Sequence, residues 1–137
     1  MSKAAGLPPG VWEYRLIFFR ESELVRAIGA FARMRKKPLP VGQITRLVLD
    51  ADEITLSLHL EKDDGGIVAR KFTANEVAAA LIAYCKDARI PLPRKAVKEL
   101  RVISNRPAFL IRERGAEQDG AEEEIEILRR RGVIPKA

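Results

Sequence analysis

The stretches "ELVRAIGAFARMRKKPLP" (23–40) and "EVAAALIAYCKDARIPLP" (76–93) read almost alike and lie 53 positions apart in the chain. Both are amphipathic, both end in cations, and both run into Pro-Leu-Pro. The match extends beyond them without a gap. Phe19 and Phe72, Ala27 and Ala80, Ala30 and Ala83, and Leu47 and Leu100 are identical pairs at the same offset. Two amphipathic helices can resemble each other by chance, but chance does not place the same Pro-Leu-Pro at the same distance after each. We read the chain as an internal duplication.

Each copy opens with a strand. "VWEYRLIFF" (11–19) is aromatic and β-branched, and "GIVARKF" (66–72) is its weaker counterpart. A helix follows. Thr73 and Glu76 have capping-box spacing, and Ser22 is the N-cap candidate of the first copy. Cations at the helix ends suit the negative end of the helix dipole, and proline forbids continuation. The next segments are ambiguous. "VGQITRLVL" (41–49) fits a short helix or a strand, and "RKAVKELRV" (94–102) reads as a short helix. A strand closes each copy: "ITLSLHL" (54–60), which alternates strictly, and "AFLIRER" (108–114). "EKDDGG" (61–66) is a hairpin turn between the copies.

The expected fold class is therefore α+β. Two strand-helix-strand units form an antiparallel sheet with the helices on one face, ferredoxin-like or a pseudo-two-fold variant. The competing arrangement counts 44–49 and 101–103 as extra strands, giving six. The organisation is a flexible N-terminus (1–10), unit 1 (11–64), unit 2 (65–114), and a linker with a C-terminal helix (115–137). In that tail, 121–132 is the helix candidate, with Glu126 and Arg130 at i,i+4 and Gly132 as its stop.

The 137 residues are the size of one domain, and 47% apolar against 32% charged is ordinary globular composition. One cysteine, Cys85, allows no internal disulfide, and no apolar run reaches membrane-spanning length. The expected location is cytoplasmic. Net charge is +6, concentrated in 65–115, where eleven Lys/Arg face four Asp/Glu, a balance of +7.

No catalytic, cofactor or metal motif appears, so no such site is expected. A single Cys and a single His cannot build a zinc site of the usual composition. His59 reads as a residue on the polar strand face, Cys85 as a small core residue, and Asp50, Asp52 and Glu53 as a solvated turn. Two surfaces remain. Arg33, Arg35, Lys36 and Lys37, with Lys86, Arg89, Arg94, Lys95 and Lys98, cluster around the ends of the two helices. They could hold a phosphate backbone. No basic strand is studded with aromatics, which argues against specific RNA reading. The second surface is the strand face of Trp12, Tyr14 and Phe18, with Ile125 and Leu128 of the tail, as a protein-contact face. The leading expectation is a non-enzymatic assembly module that binds a protein partner or itself, as a homo-oligomer. The alternative is sequence-independent nucleic-acid binding.

Overall fold

Proline and the left-handed backbone together end two helices in the same way. The computed structural model describes residues 7–114 and 121–132. Along the chain run β1 (Trp12–Phe18), α1 (Glu21–Met34), β2 (Gly42–Leu49), β3 (Leu56–Lys62), β4 (Ile67–Phe72), α2 (Ala74–Asp87), β5 (Val97–Ile103), β6 (Arg106–Arg114) and α3 (Ala121–Arg130). The class is α+β, as expected. Both α1 and α2 have 14 residues. After α1 the amides of Lys36 and Lys37 return to the carbonyls of Arg33 and Ala32; after α2 those of Arg89 and Ile90 return to Lys86 and Cys85. This is the Schellman closure, which needs a left-handed residue at its turn and usually takes glycine. Here Lys36 (φ 61°) and Arg89 (φ 60°) occupy it.

At the other end, α2 has the expected capping box. Thr73 Oγ1 accepts from the Glu76 amide at 3.2 Å, and Glu76 Oε1 accepts from the Thr73 amide at 2.9 Å. For α1 the Ser22 expectation is corrected. The N-cap is Arg20, with no side-chain cap, and the Ser22 hydroxyl donates to Glu23 Oε1 instead, at 2.9 Å. The chain has already turned helical at Glu21, so Ser22 lies inside the first turn.

The strands form two three-stranded antiparallel sheets, ordered β1-β6-β5 and β2-β3-β4. The expected single sheet is thus divided. Two of its pairings are present, β1 with β6 and β3 with β4. A split βαβ sheet would also set β1 beside β4, and that contact is replaced. The reason lies in the ambiguous segments. Both 41–49 and 94–102 supply strands, and each folds back through a short hairpin onto the far side of its successor. Local antiparallel pairing completes each sheet at three strands. The short helix read at 94–102 is therefore β5. Its β-branched Val97, Val102 and Ile103 favour extension, and Ser104 (φ 53°) and Asn105 (φ 64°) make the two-residue turn into β6.

The other turns are built from their own residues. In 50–55 the Asp50 carboxylate accepts from the amides of Asp52 and Glu53, at 2.8 and 2.9 Å. Those two bonds hold the Asp50 carboxyl below its ordinary value. Ile54 takes φ 57°, unusual for a β-branched residue, so β3 begins at Leu56 rather than at 54. The β3–β4 turn uses Gly65 at φ 90°. Gly42 opens β2 against the Glu61 carbonyl, so close that an added Cβ would overlap that backbone oxygen.

One core unites these elements. Leu24, Ile28 and Phe31 of α1 and Val77, Leu81 and Cys85 of α2 pack with Leu56, Leu58 and Leu60 of β3 and Phe109 and Ile111 of β6. Burying each such side chain contributes roughly 1.5–3 kcal/mol. Beyond β6, the C-terminal helix candidate is α3. Gly132 follows it at φ 76°, and Glu126 sits 3.7 Å from Arg130, both as expected.

Candidate functional site

Contacts at their ends show that α1 and α2 lie side by side and antiparallel. The Phe19 ring, just before α1, meets Tyr84 near the end of α2 edge-on, with centroids 6.2 Å apart. Arg70, just before α2, donates to the carbonyls of Lys37 and Pro38, just past α1, at 3.0 and 3.3 Å. The two basic clusters therefore sit at opposite ends of the helix pair. A 14-residue helix spans about 21 Å.

At the α2 end the cations border a hollow. Lys86, Arg89, Arg94 and Lys98 line a groove of about 530 Å³ whose remaining walls are Ile82, Ile90, Pro91 and Leu92. None of the eight lining residues is acidic. Pro-Leu-Pro builds this wall because it leaves the helix as an extended segment. Two side chains anchor that segment: Arg15 donates to the Pro91 carbonyl at 2.7 Å, and Lys98 Nζ donates to the Pro93 and Ala96 carbonyls at 2.9 and 3.1 Å. Lys86, Arg89 and Arg94 are exposed, while Lys98 is half-buried. Positive charge held over apolar walls of low polarisability concentrates potential at the mouth of the groove. Lys95 is exposed but is not part of the lining.

At the α1 end, Arg33, Arg35, Lys36 and Lys37 are all exposed. Arg35 stacks over the Phe31 ring, 4.8 Å from its centroid, so part of this cluster is committed to packing.

A second hollow adjoins the groove. It is about 280 Å³ and is lined by Ile17, Phe18, Phe19, Arg20, Glu23, Tyr84 and Ile90. Ile90 belongs to both hollows. Phe18 is 49% exposed there. The one acid, Glu23, is bonded to the Ser22 hydroxyl and to Arg20 at 3.2 Å, and these neighbours hold its carboxyl below the ordinary value. Phe18 was not legible as a neighbour of this site in sequence, because Phe18 and Ile90 are 72 positions apart; β1 brings them together.

The expected protein-contact face is partly assembled. Trp12, Tyr14 and Phe18 share the face of β1 that points away from the core, since their β6 partners Arg112 and Ala108 alternate with the core residues Phe109 and Ile111. That face is shielded at its centre: Ala108 is 0% and Leu110 3% exposed. Trp12 and Tyr14 are half-buried. Leu128 is half-buried on α3, and the Ile125 side chain lies outside the described residues.

His59 stands on β3, the central strand of its sheet, paired with Arg46 and Ala69. Cys85 is fully buried in the core, and burial pushes its thiol up from the ordinary value. Asp50, Asp52 and Glu53 form the turn described above. Among the described residues no helix is long and apolar enough to cross a membrane. Compared with known proteins, the chain matches no family model, no curated protein and no solved structure.

Proposed function

We propose that this protein is a non-enzymatic binding module whose cationic groove at the end of α2 takes a nucleic-acid backbone, without reading base sequence. The observation that carries this reading is Arg89. It holds the left-handed turn of the Schellman closure, where an L side chain costs about 1–2 kcal/mol against glycine. That cost is borne at the mouth of a groove with three further cations and no acid in its lining. Strain held at a surface charge is a reason to look for a ligand there, and a polyanion is the ligand that the exposed Lys86, Arg89 and Arg94 suit.

The same reading takes the two halves of the chain as one duplicated unit. It is supported by equal helices that begin 53 positions apart, at Glu21 and Ala74, and by cations in the same left-handed position after each. It also places the protein in the cytoplasm, in keeping with a single, buried thiol.

The test is fluorescence anisotropy of labelled mixed-sequence oligonucleotides with the full chain, across a salt series. Binding should weaken linearly with log salt, and Arg89→Glu with Arg94→Glu should weaken it at least about tenfold. Circular dichroism of the double variant checks that the fold is intact. Absence of binding at low salt, or a double variant that binds like the parent, overturns the reading.

A second reading is favoured by a different observation. Phe18 and Val97, on the two edge strands of one sheet, are each about half exposed, at 49% and 50%. They support protein association, including self-association, through that face. Light scattering after size exclusion tests it. A dimer mass that Phe18→Ser with Val97→Ser returns to monomer supports association; a monomeric parent with no protein partner removes it.

A further inference from the structure

We infer that the strand taken by this groove is single, and that Phe18 is the platform on which one of its bases stacks. The inference rests on the proposed phosphate-binding role of the groove and adds to it the form of the nucleic acid.

The geometry is specific to one end of the helix pair. The cationic groove and the hollow beside Phe18 meet at Ile90, which walls both. A backbone following Arg94 and Arg89 along the groove and past Ile90 comes to the edge strand β1, and on rounding that edge it meets the exposed phenyl ring on the outer face of the sheet. Phe18 pairs across the sheet with Ala108, whose methyl is too small to cover a phenyl ring. At 49% exposure, Phe18 keeps a large apolar surface in water at a place where the neighbouring Ile17 and Phe19 are half-buried and buried. Arg20 on the far rim is ion-paired with Glu23 at 3.2 Å, so the cations that serve the strand are those of the groove. Cations, an apolar wall and an exposed ring are the pattern of single-strand binding surfaces. The cations track phosphates, and the ring offers a π-face that any base can use. A duplex cannot use it without unstacking a base, since its bases are turned inward and paired.

The opposite end of the helix pair lacks this. The residue 53 positions after Phe18 is Lys71, at the end of β4. There an ammonium stands in place of the phenyl ring.

The probe is a single-stranded oligonucleotide carrying 2-aminopurine, titrated with the full chain, beside the same sequence as a duplex. Stacking on Phe18 should quench 2-aminopurine at one position. Phe18→Ala should lose that quench and weaken single-strand binding roughly 5- to 100-fold. Duplex binding should be unchanged, and Phe18→Trp should restore the single-strand affinity. If Phe18→Ala binds single strands like the parent while Arg89→Glu weakens them, the groove stands and stacking is wrong. If neither variant alters binding, the groove reading fails as well. Equal losses for single strand and duplex on Phe18→Ala would also overturn the inference, since they would point to damage in β1 rather than to a lost stack.

Discussion

The two ends of the helix pair are built alike and finished differently. Each helix closes with a cation at a positive φ, Lys36 or Arg89, and each runs into Pro-Leu-Pro. Each extended segment is held by an arginine from the strand beside it, Arg70 on Lys37 and Pro38, and Arg15 on Pro91. The difference lies in what fills the surrounding positions. Beyond α1, Arg35 packs on Phe31, and Val41, 80% exposed, stands where Arg94 stands beyond α2. Beyond α2, four cations and the neighbouring Phe18 frame two joined hollows. One backbone design therefore serves two surfaces, and a few side chains decide which of them frames a cationic groove.

The shared frame makes strong predictions. Ile28 and Leu81 lie 53 positions apart and are each fully buried. Ile28→Ala and Leu81→Ala should each cost about 2–5 kcal/mol in urea denaturation. Costs that differ several-fold would break the equivalence of the two helices.

Gly42 and Lys95 sharpen the difference. Gly42→Val drives a side chain into the Glu61 carbonyl and should cost about 1–3 kcal/mol. Lys95→Val, at the exposed position 53 later, should stay within about 0.5 kcal/mol. Thermal melts of both variants measure this.

Smaller effects are expected at the helix ends. Lys36→Gly and Arg89→Gly should each stabilise the protein, by up to about 1 kcal/mol, because glycine adopts the left-handed turn without steric cost, a gain partly offset by the greater chain entropy glycine loses on folding. Only Arg89→Gly should also lower oligonucleotide affinity clearly. Stability and affinity moving in opposite directions at one residue would mark a charge retained for binding. Parallel losses of both would return Arg89 to a structural role.

The smallest effect separates the two hairpin turns. Asp50 is held below its ordinary pKa by amide hydrogen bonds. The stability it contributes is present above the unfolded-state value and is lost as pH falls through the lower folded value. Asp50→Asn should therefore flatten the acid limb of the stability curve as pH falls through and below the ordinary carboxylate range. The β5–β6 turn, Ser104-Asn105, contains no carboxylate and should add nothing to that limb.

Much of the local structure was legible in the chain. Thr73 and Glu76 announce α2 because their spacing satisfies two amides that a helix leaves open. The alternation of Leu56, Leu58 and Leu60 announces β3 because strands turn successive side chains to opposite faces. Cys85 was legible as core, lying on the apolar stripe of α2. Ser22 misled because a good capping residue can stand one position inside a helix whose backbone turns earlier. The segment 94–102 misled because Ala96, Val97 and Leu100 fit helical spacing, while the pairing that makes it a strand comes from β6, later in the chain.

By itself, then, the sequence determined the helices, their proline stops, most of the core and the clustering of positive charge. All of these depend on residues a few positions apart. Only the tertiary structure decided that six strands divide into two sheets, that the basic clusters lie at opposite ends of an antiparallel helix pair, and that Phe18 lines a hollow sharing Ile90 with the cationic groove of α2. Those arrangements join residues many tens of positions apart, and the burial of a shared core, which no local window records, selects among the possible pairings.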